Sequence, residues 1–239
     1  MSKAIDLYGP LDFDRHFELK EDFEHYVDAD KWTVTATDAG AATIADGVNG
    51  VIALTASDGS VVDNDETYLE QKLETWLFAQ NKAFSFKARV QFTEANTDDA
   101  NVFVGMANAV AANLLVDDGA GLRTSGSYVG FLKVDGGTVW RLVSRNTDVN
   151  NDATLVTAGG ASYQDLEFDV EDEGDGSSYV KVTFKINGQQ IFNSATGRPF
   201  VQRVPIASAT EMQVGFGVKN GGANLETLNI DRVQARKVR

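Results

Sequence analysis

The stretch YQDLEFDVEDEGDGSSYVKVTFKINGQQIF, Tyr163 to Phe192, alternates with period two on both sides of an acidic turn. Leu166, Phe168 and Val170 point one way, and Glu167, Asp169 and Glu171 the other. On the next segment Val180, Val182, Phe184 and Ile186 share a face, with Lys181, Thr183 and Lys185 opposite. Such alternation is the signature of half-buried β-strands. Asn187-Gly188 supplies the pair of positive φ angles that a tight type I′ turn requires. Placing Phe168 against Phe184 sets Glu167 opposite Lys185 and Glu171 opposite Lys181.

The same grammar runs from Lys31 onward. Strands are expected at Trp32–Thr37, Val48–Ala56, Thr67–Leu73, Phe84–Thr93, Asn101–Ala107, Tyr128–Val134, Thr138–Arg145, Leu166–Glu171, Tyr179–Ile186, Gln189–Asn193, Met212–Lys219 and Leu225–Ala235. Turn signals such as Asp58-Gly59, Asp135-Gly136-Gly137 and Asn220-Gly221-Gly222 separate them, which argues a two-sheet antiparallel β-sandwich. The three prolines, at 10, 199 and 205, interrupt no central strand. Two Asp/Gly/Ala-rich stretches, Ala109–Ser127 and Asn146–Ser162, read as irregular loops suited to contacts.

Residues 1–30 differ from the rest. Asp12–Val27 has aromatic residues at 13, 17, 23 and 26 that fit one helical face imperfectly, so the expectation is an N-terminal arm or short helix. It either covers the sandwich or reaches a neighbouring subunit, with Gly9-Pro10 marking a bend. Residues 31–239 form one domain, with no repeat and no linker.

Composition narrows the function classes. A formal net charge of −14 argues against a nucleic-acid partner and suits a soluble protein or one docking on a basic protein surface. No window of 18 apolar residues exists, so no membrane partner is expected, and the charged N-terminus does not read as a secretory signal. With no cysteine, neither disulfides nor thiolate chemistry are available.

Several segments resemble the concanavalin A-like jelly rolls, the laminin-G and glucanase type of sandwich. Phe84–Val90 (FSFKARV) is similar to that family's xFxxRV strand. Phe103-Val104-Gly105-Met106 and Tyr128-Val129-Gly130-Phe131 resemble the strands that follow. Leu166–Val170 with Val180–Gly188 resembles its hairpin ending in V-N-G, and Leu225–Arg236 its closing strand. The resemblance spans about residues 30–236 and implies an all-β, two-sheet jelly roll. Fold leaves function open. The arm, the missing cysteines and the acidity also look like capsid decoration (cement) proteins of tailed bacteriophages.

Glu167-x-Asp169-x-Glu171 superficially matches the acidic strand of retaining glycosidases. In the family the catalytic acids lie on an earlier strand, and the cross-strand lysines explain these carboxylates as an ion-paired solvent face. Asp148-Val149-Asn150-Asn151-Asp152 fails the EF-hand test, since position six carries no glycine and position twelve is Gly159. A looser Ca²⁺ site there, or at Asp63-Asn64-Asp65-Glu66, stands beside the reading of a solvated turn. His16 and His25 lie in the N-terminal segment, away from any catalytic triad. Gly215-Phe216-Gly217 lies within a strand and opens no dinucleotide-binding helix. Trp32, Trp76, Trp140 and Tyr128 suit core packing better than a sugar-stacking platform.

The expectation is therefore a protein that is not an enzyme and holds no cofactor and no metal: a virion structural protein on the capsid surface, assembled in the host cytoplasm. Its partners would be the major capsid protein and symmetry-related copies of itself, through Tyr8, Phe13 and Phe17. The alternative is a glycan-binding module of a phage tail or surface protein.

Overall fold

The computed structural model describes residues 16–26, 30–45, 50–58, 60–94, 98–147, 149–174 and 176–238. Strands in chain order are β1 (His16–Glu21), β2 (Trp32–Ala36), β3 (Ala41–Ala45), β4 (Val51–Thr55), β5 (Glu66–Gln71) and β6 (Phe84–Thr93). They continue with β7 (Ala100–Ala107), the short β8 (Leu115–Val116) and β9 (Gly121–Leu122), β10 (Tyr128–Lys133), β11 (Val139–Arg145) and β12 (Asn150–Ala158). The last are β13 (Gln164–Asp172), β14 (Tyr179–Ile186), β15 (Gln189–Gln190), β16 (Val201–Pro205), β17 (Gln213–Asn220) and β18 (Thr227–Val238). The helical content among the described residues is one 3-10 turn, Asp117–Gly119.

Two antiparallel sheets form the sandwich. One runs β15-β14-β13-β6-β18-β4-β3, with β1 added to β18 and β16 to β14; the other runs β12-β11-β10-β7-β17-β5-β2. The β13–β14 register matches the sequence reading: Phe168 opposes Phe184, Glu167 opposes Lys185 and Glu171 opposes Lys181. Asn187 and Gly188 have φ of 52° and 73°, as the tight turn demands.

Alternation sends one side chain in two into the space between the sheets. Phe86 stacks on Phe168 at 4.9 Å, Phe131 meets Phe184 edge-on at 5.6 Å, and Phe92 meets Trp140 edge-on at 5.7 Å. Each such pair contributes about 0.5–1.5 kcal/mol beyond the area it buries.

Three expectations change. The segment read as an arm or short helix is, over His16–Glu21, a strand paired with Val233–Val238 of β18. Phe17 and Leu19 alternate with Glu18 and Lys20, so period two prevails over the helical spacing of the aromatics. The stretch 146–162, read as a loop, contains the nine-residue β12, paired with β11 at the sheet edge. Its polar Asn-Asn-Asp start concealed it; an edge strand needs apolar residues on one face at most. Ala41–Ala45 and Val201–Pro205 are further edge strands, too short or too polar to announce themselves.

Phe168→Ala should destabilise the fold by about 3–5 kcal/mol, as an unfilled aromatic site does. Guanidinium unfolding checks this, with an unchanged m-value expected.

Candidate functional site

The glutamates of β13 lie on the outward face of the nine-stranded sheet. Glu167 pairs with Lys87 of β6 at 3.0 Å, and Lys185 reaches diagonally to Asp169 at 3.0 Å. The register is as expected, but the salt bridges run to the other neighbour and along the diagonal. Glu167 is only 7% exposed, contrary to the expectation of an open carboxylate. The methylene stems of adjoining lysines cover such a group while their amines neutralise it.

Trp32, Trp76, Trp140 and Tyr128 are all buried. The indole N–H groups of Trp76 and Trp140 donate to Gln71 Oε1 at 2.9 Å and Gln164 Oε1 at 2.8 Å. These four rings belong to the packing and offer sugars no platform.

Several oxygens in the loops considered for Ca²⁺ are spent internally. Asp65 Oδ2 accepts from Val62 N at 2.8 Å, Asn150 Oδ1 from the Tyr128 hydroxyl at 2.8 Å, and the two Asp152 oxygens from Nε and Nη2 of Arg141. Asp148 lies outside the described residues, among which no group of three or more His, Cys, Asp or Glu side chains could hold a metal.

The outward face of the seven-stranded sheet could not be read from the alternation of residues. Gly130, Gly105 and Gly215 lie side by side across β10, β7 and β17, between inward-pointing Val129/Phe131, Val104/Met106 and Val214/Phe216. This smooth trough is filled by the segment 108–127. Val110 sits on Gly215, where a Cβ would overlap it, and Leu114, Leu115 and Leu122 join Phe103, Leu132 and Val143 in a second core.

A buried polar network pins that segment. The Tyr68 hydroxyl donates to Glu66 Oε2 at 2.7 Å and accepts from Leu115 N at 3.0 Å. Asn113 N donates to Glu66 Oε1 at 2.8 Å, while the Lys219 amine donates to Glu66 Oε2 at 3.3 Å, to Leu115 O at 3.1 Å and to Asp117. Burial, then the Glu66 charge, pushes the Tyr68 phenol well above its ordinary range.

At one end of the filled trough a polar group forms. Burial, reinforced by the Glu74 charge, pushes the Glu70 carboxyl up to about 7, and it accepts from the Gln213 amide. Glu74 Oε1 accepts from Asn108 Nδ2 and Ala109 N, both at 3.2 Å. Arg123 donates to Asn108 O, and desolvation lowers its pKa. A carboxyl pushed up to about 7 by burial and a neighbouring carboxylate is a recognised functional-site pattern. These groups can donate to and accept from hydroxyls. The missed signal was Glu70-x-x-x-Glu74, whose convergence depends on the turn after β5.

Of the three expected contact residues, Tyr8 and Phe13 lie outside the described residues. Phe17 is half-buried, edge-on to Trp76 at 5.8 Å and under the Lys237 amine at 5.4 Å. His16 lies in β1, and His25 lines a small surface cleft with Glu21, Tyr26 and Lys31.

Two outcomes follow. Lys219→Met leaves Glu66 buried without its cation and should cost about 3–5 kcal/mol in chemical denaturation. Glu70 holds its proton longer folded (about 7) than at its ordinary value of 4.5. Its contribution to stability is therefore fully present below 4.5 and is lost as pH rises toward 7. Glu70→Gln should match the parent at pH 4 and exceed it at pH 8 by about 1–2 kcal/mol, a figure reduced for partial solvent screening. Urea midpoints at the two pH values decide it.

No family model matches the chain, and no curated protein does. Solved structures do. An endo-1,3-β-glucanase from Streptomyces sioyaensis is 11% identical with a TM-score of 0.59, covering 96% of this chain and 99% of its own. Lectin II from Ulex europaeus is 12% identical with a TM-score of 0.57, covering 92% and 98%. A protein of unknown function from Shewanella oneidensis MR-1 is 13% identical with a TM-score of 0.56, covering 94% and 87%. At these identities the likeness speaks for architecture alone: the chain has the concanavalin A-like jelly-roll fold of lectins and glucanases.

Proposed function

We propose that this chain is a non-enzymatic virion structural protein, a capsid decoration protein that docks on the lattice of a major capsid protein. The supporting observation is the distribution of its binding capacity. The trough across the seven-stranded sheet is taken up by the protein's own segment 108–127, whereas the margin around β1 presents two clefts and the exposed Leu73. A rigid sandwich that binds at its margins suits adhesion across subunit junctions. Many weak contacts repeated by capsid symmetry then sum to strong retention. The net charge of −14 favours a basic docking surface. Mixing the protein with capsids assembled without it tests the reading. Saturable co-sedimentation and a higher capsid melting temperature are expected; no binding, together with absence from purified virions by mass spectrometry, would overturn it.

A glycan-binding module is the second reading. It is favoured by the neighbours that are lectins, one of them complexed with galactose, and by the polar group around Glu70, Glu74, Asn108, Arg123 and Gln213. It predicts binding on a glycan array that Glu74→Ala with Gln213→Ala abolishes. Hydrolysis of a β-glucan that Glu70→Gln removes would instead make the protein an enzyme and refute both readings.

A further inference from the structure

Lys219 of β17 stands directly opposite Glu66 of β5, on the sheet face that the segment 108–127 covers. Its side chain is 1% exposed, and its amine is met on three sides. Glu66 Oε2 accepts from it at 3.3 Å, Leu115 O accepts at 3.1 Å, and Asp117 Oδ1 accepts from the covering segment. One buried amine is thus shared between two carboxylates from separate parts of the chain. The Glu66 side chain is 2% exposed and that of Asp117 55%, so one acid is sealed while the other opens to solvent. The backbone fixes Asp117 in place, since Ala120 N donates to Asp117 O at 3.2 Å and closes the 3-10 turn.

Such an arrangement can rest as a buried ion network, but its geometry also suits a reaction. Glu66 and Leu115 hold two of the amine hydrogens, and the third points at the Asp117 carboxyl. When that proton leaves, the lone pair it uncovers faces the same carboxyl. A lysine becomes a nucleophile in this way when a base stands beside it, and Glu66 is that base.

We propose that Lys219 and Asp117 join through an isopeptide bond, with Glu66 as the acid–base group that moves the protons. The step is a condensation: ammonium and carboxylate become amide and water, and nothing is oxidised or reduced. Nζ gives one proton to Asp117 Oδ1 and attacks Cγ, forming the Nζ–Cγ bond. Glu66 takes a second proton from Nζ and passes it to the same oxygen. The Cγ–Oδ1 bond then breaks, and water leaves by the exposed side of Asp117. The remaining amide N–H stays with Leu115 O. Glu66 ends as it began, its oxygens still held by the Tyr68 hydroxyl and Asn113 N.

In dilute solution hydrolysis wins over such a condensation. A pair fixed in contact reverses the balance, because well-oriented neighbours react as if at about 10⁵–10⁸ M. Asp117 and Lys219 are 102 positions apart, so the bond constrains the unfolded chain as a disulfide across a long loop does. It does so in a chain without cysteine. The covering segment is then tied to the sheet whatever the protein binds at its margins.

Mass spectrometry of the purified full chain tests the proposal. The parent is expected to be lighter by one water than its sequence. Its tryptic digest should contain residues 90–123 joined to residues 204–232, since a bonded Lys219 resists cleavage. Asp117→Ala and Glu66→Gln should keep their full sequence masses and release the two peptides separately. Asp117→Asn should lose ammonia in place of water. Asp117→Ala alters an exposed side chain, so an unchanged circular dichroism spectrum with a lower thermal midpoint is expected. A parent of full sequence mass, or a water loss that persists in Asp117→Ala, would overturn the proposal. A joined peptide in Glu66→Gln would overturn the part given to Glu66.

Discussion

The register of β6, β13 and β14 carries this structure. Phe86, Phe168 and Phe184 lie across three neighbouring strands in one row, and that row sets the inward face of β6, β13 and β14. A slip of one residue would send the phenylalanines to water and Glu167, Asp169 and their lysines into the core. Burying those charges without partners costs far more than any surface salt bridge returns. The outer ion pairs therefore contribute less through their own attraction than by excluding the wrong register.

The second sheet solves a different problem. Its inward face completes the main core, but its outward face holds a row of glycines that no alternation explains. Glycine there lets the segment 108–127 approach the backbone closely, with Val110 against Gly215 and Leu115 beside Gly217. The chain thus supplies its own cover for this face. The Glu66–Tyr68–Lys219 network holds the cover, because each buried polar atom there finds its partner on the segment or its neighbours. The proposed adhesive role draws on this arrangement: with the sheet face occupied, the clefts beside β1 are the concave surfaces that the described residues offer to partners.

Much of the architecture was legible because alternation is local. Phe84–Thr93 and Tyr179–Ile186 run as strands over the expected residues, and the Asn187-Gly188 turn has the expected backbone. The edge strands β3, β12 and β16 were not legible, unlike β2, since such strands need apolar residues on one face at most. The polar group at Glu70 was hidden for another reason. Glu70 and Glu74 lie far from Asn108, Arg123 and Gln213 along the chain, and a raised carboxyl pKa is a property of surroundings rather than of residue type.

The sequence alone determined that this chain is an antiparallel sandwich, which faces its strands present and how its central hairpin registers, because a two-residue period survives without knowledge of neighbours. Only the tertiary structure decided that the glycine trough is filled by the chain itself and that His16–Glu21 joins the sandwich as a strand on β18. Each of those depends on which distant segments meet, and long-range packing is written in no local pattern.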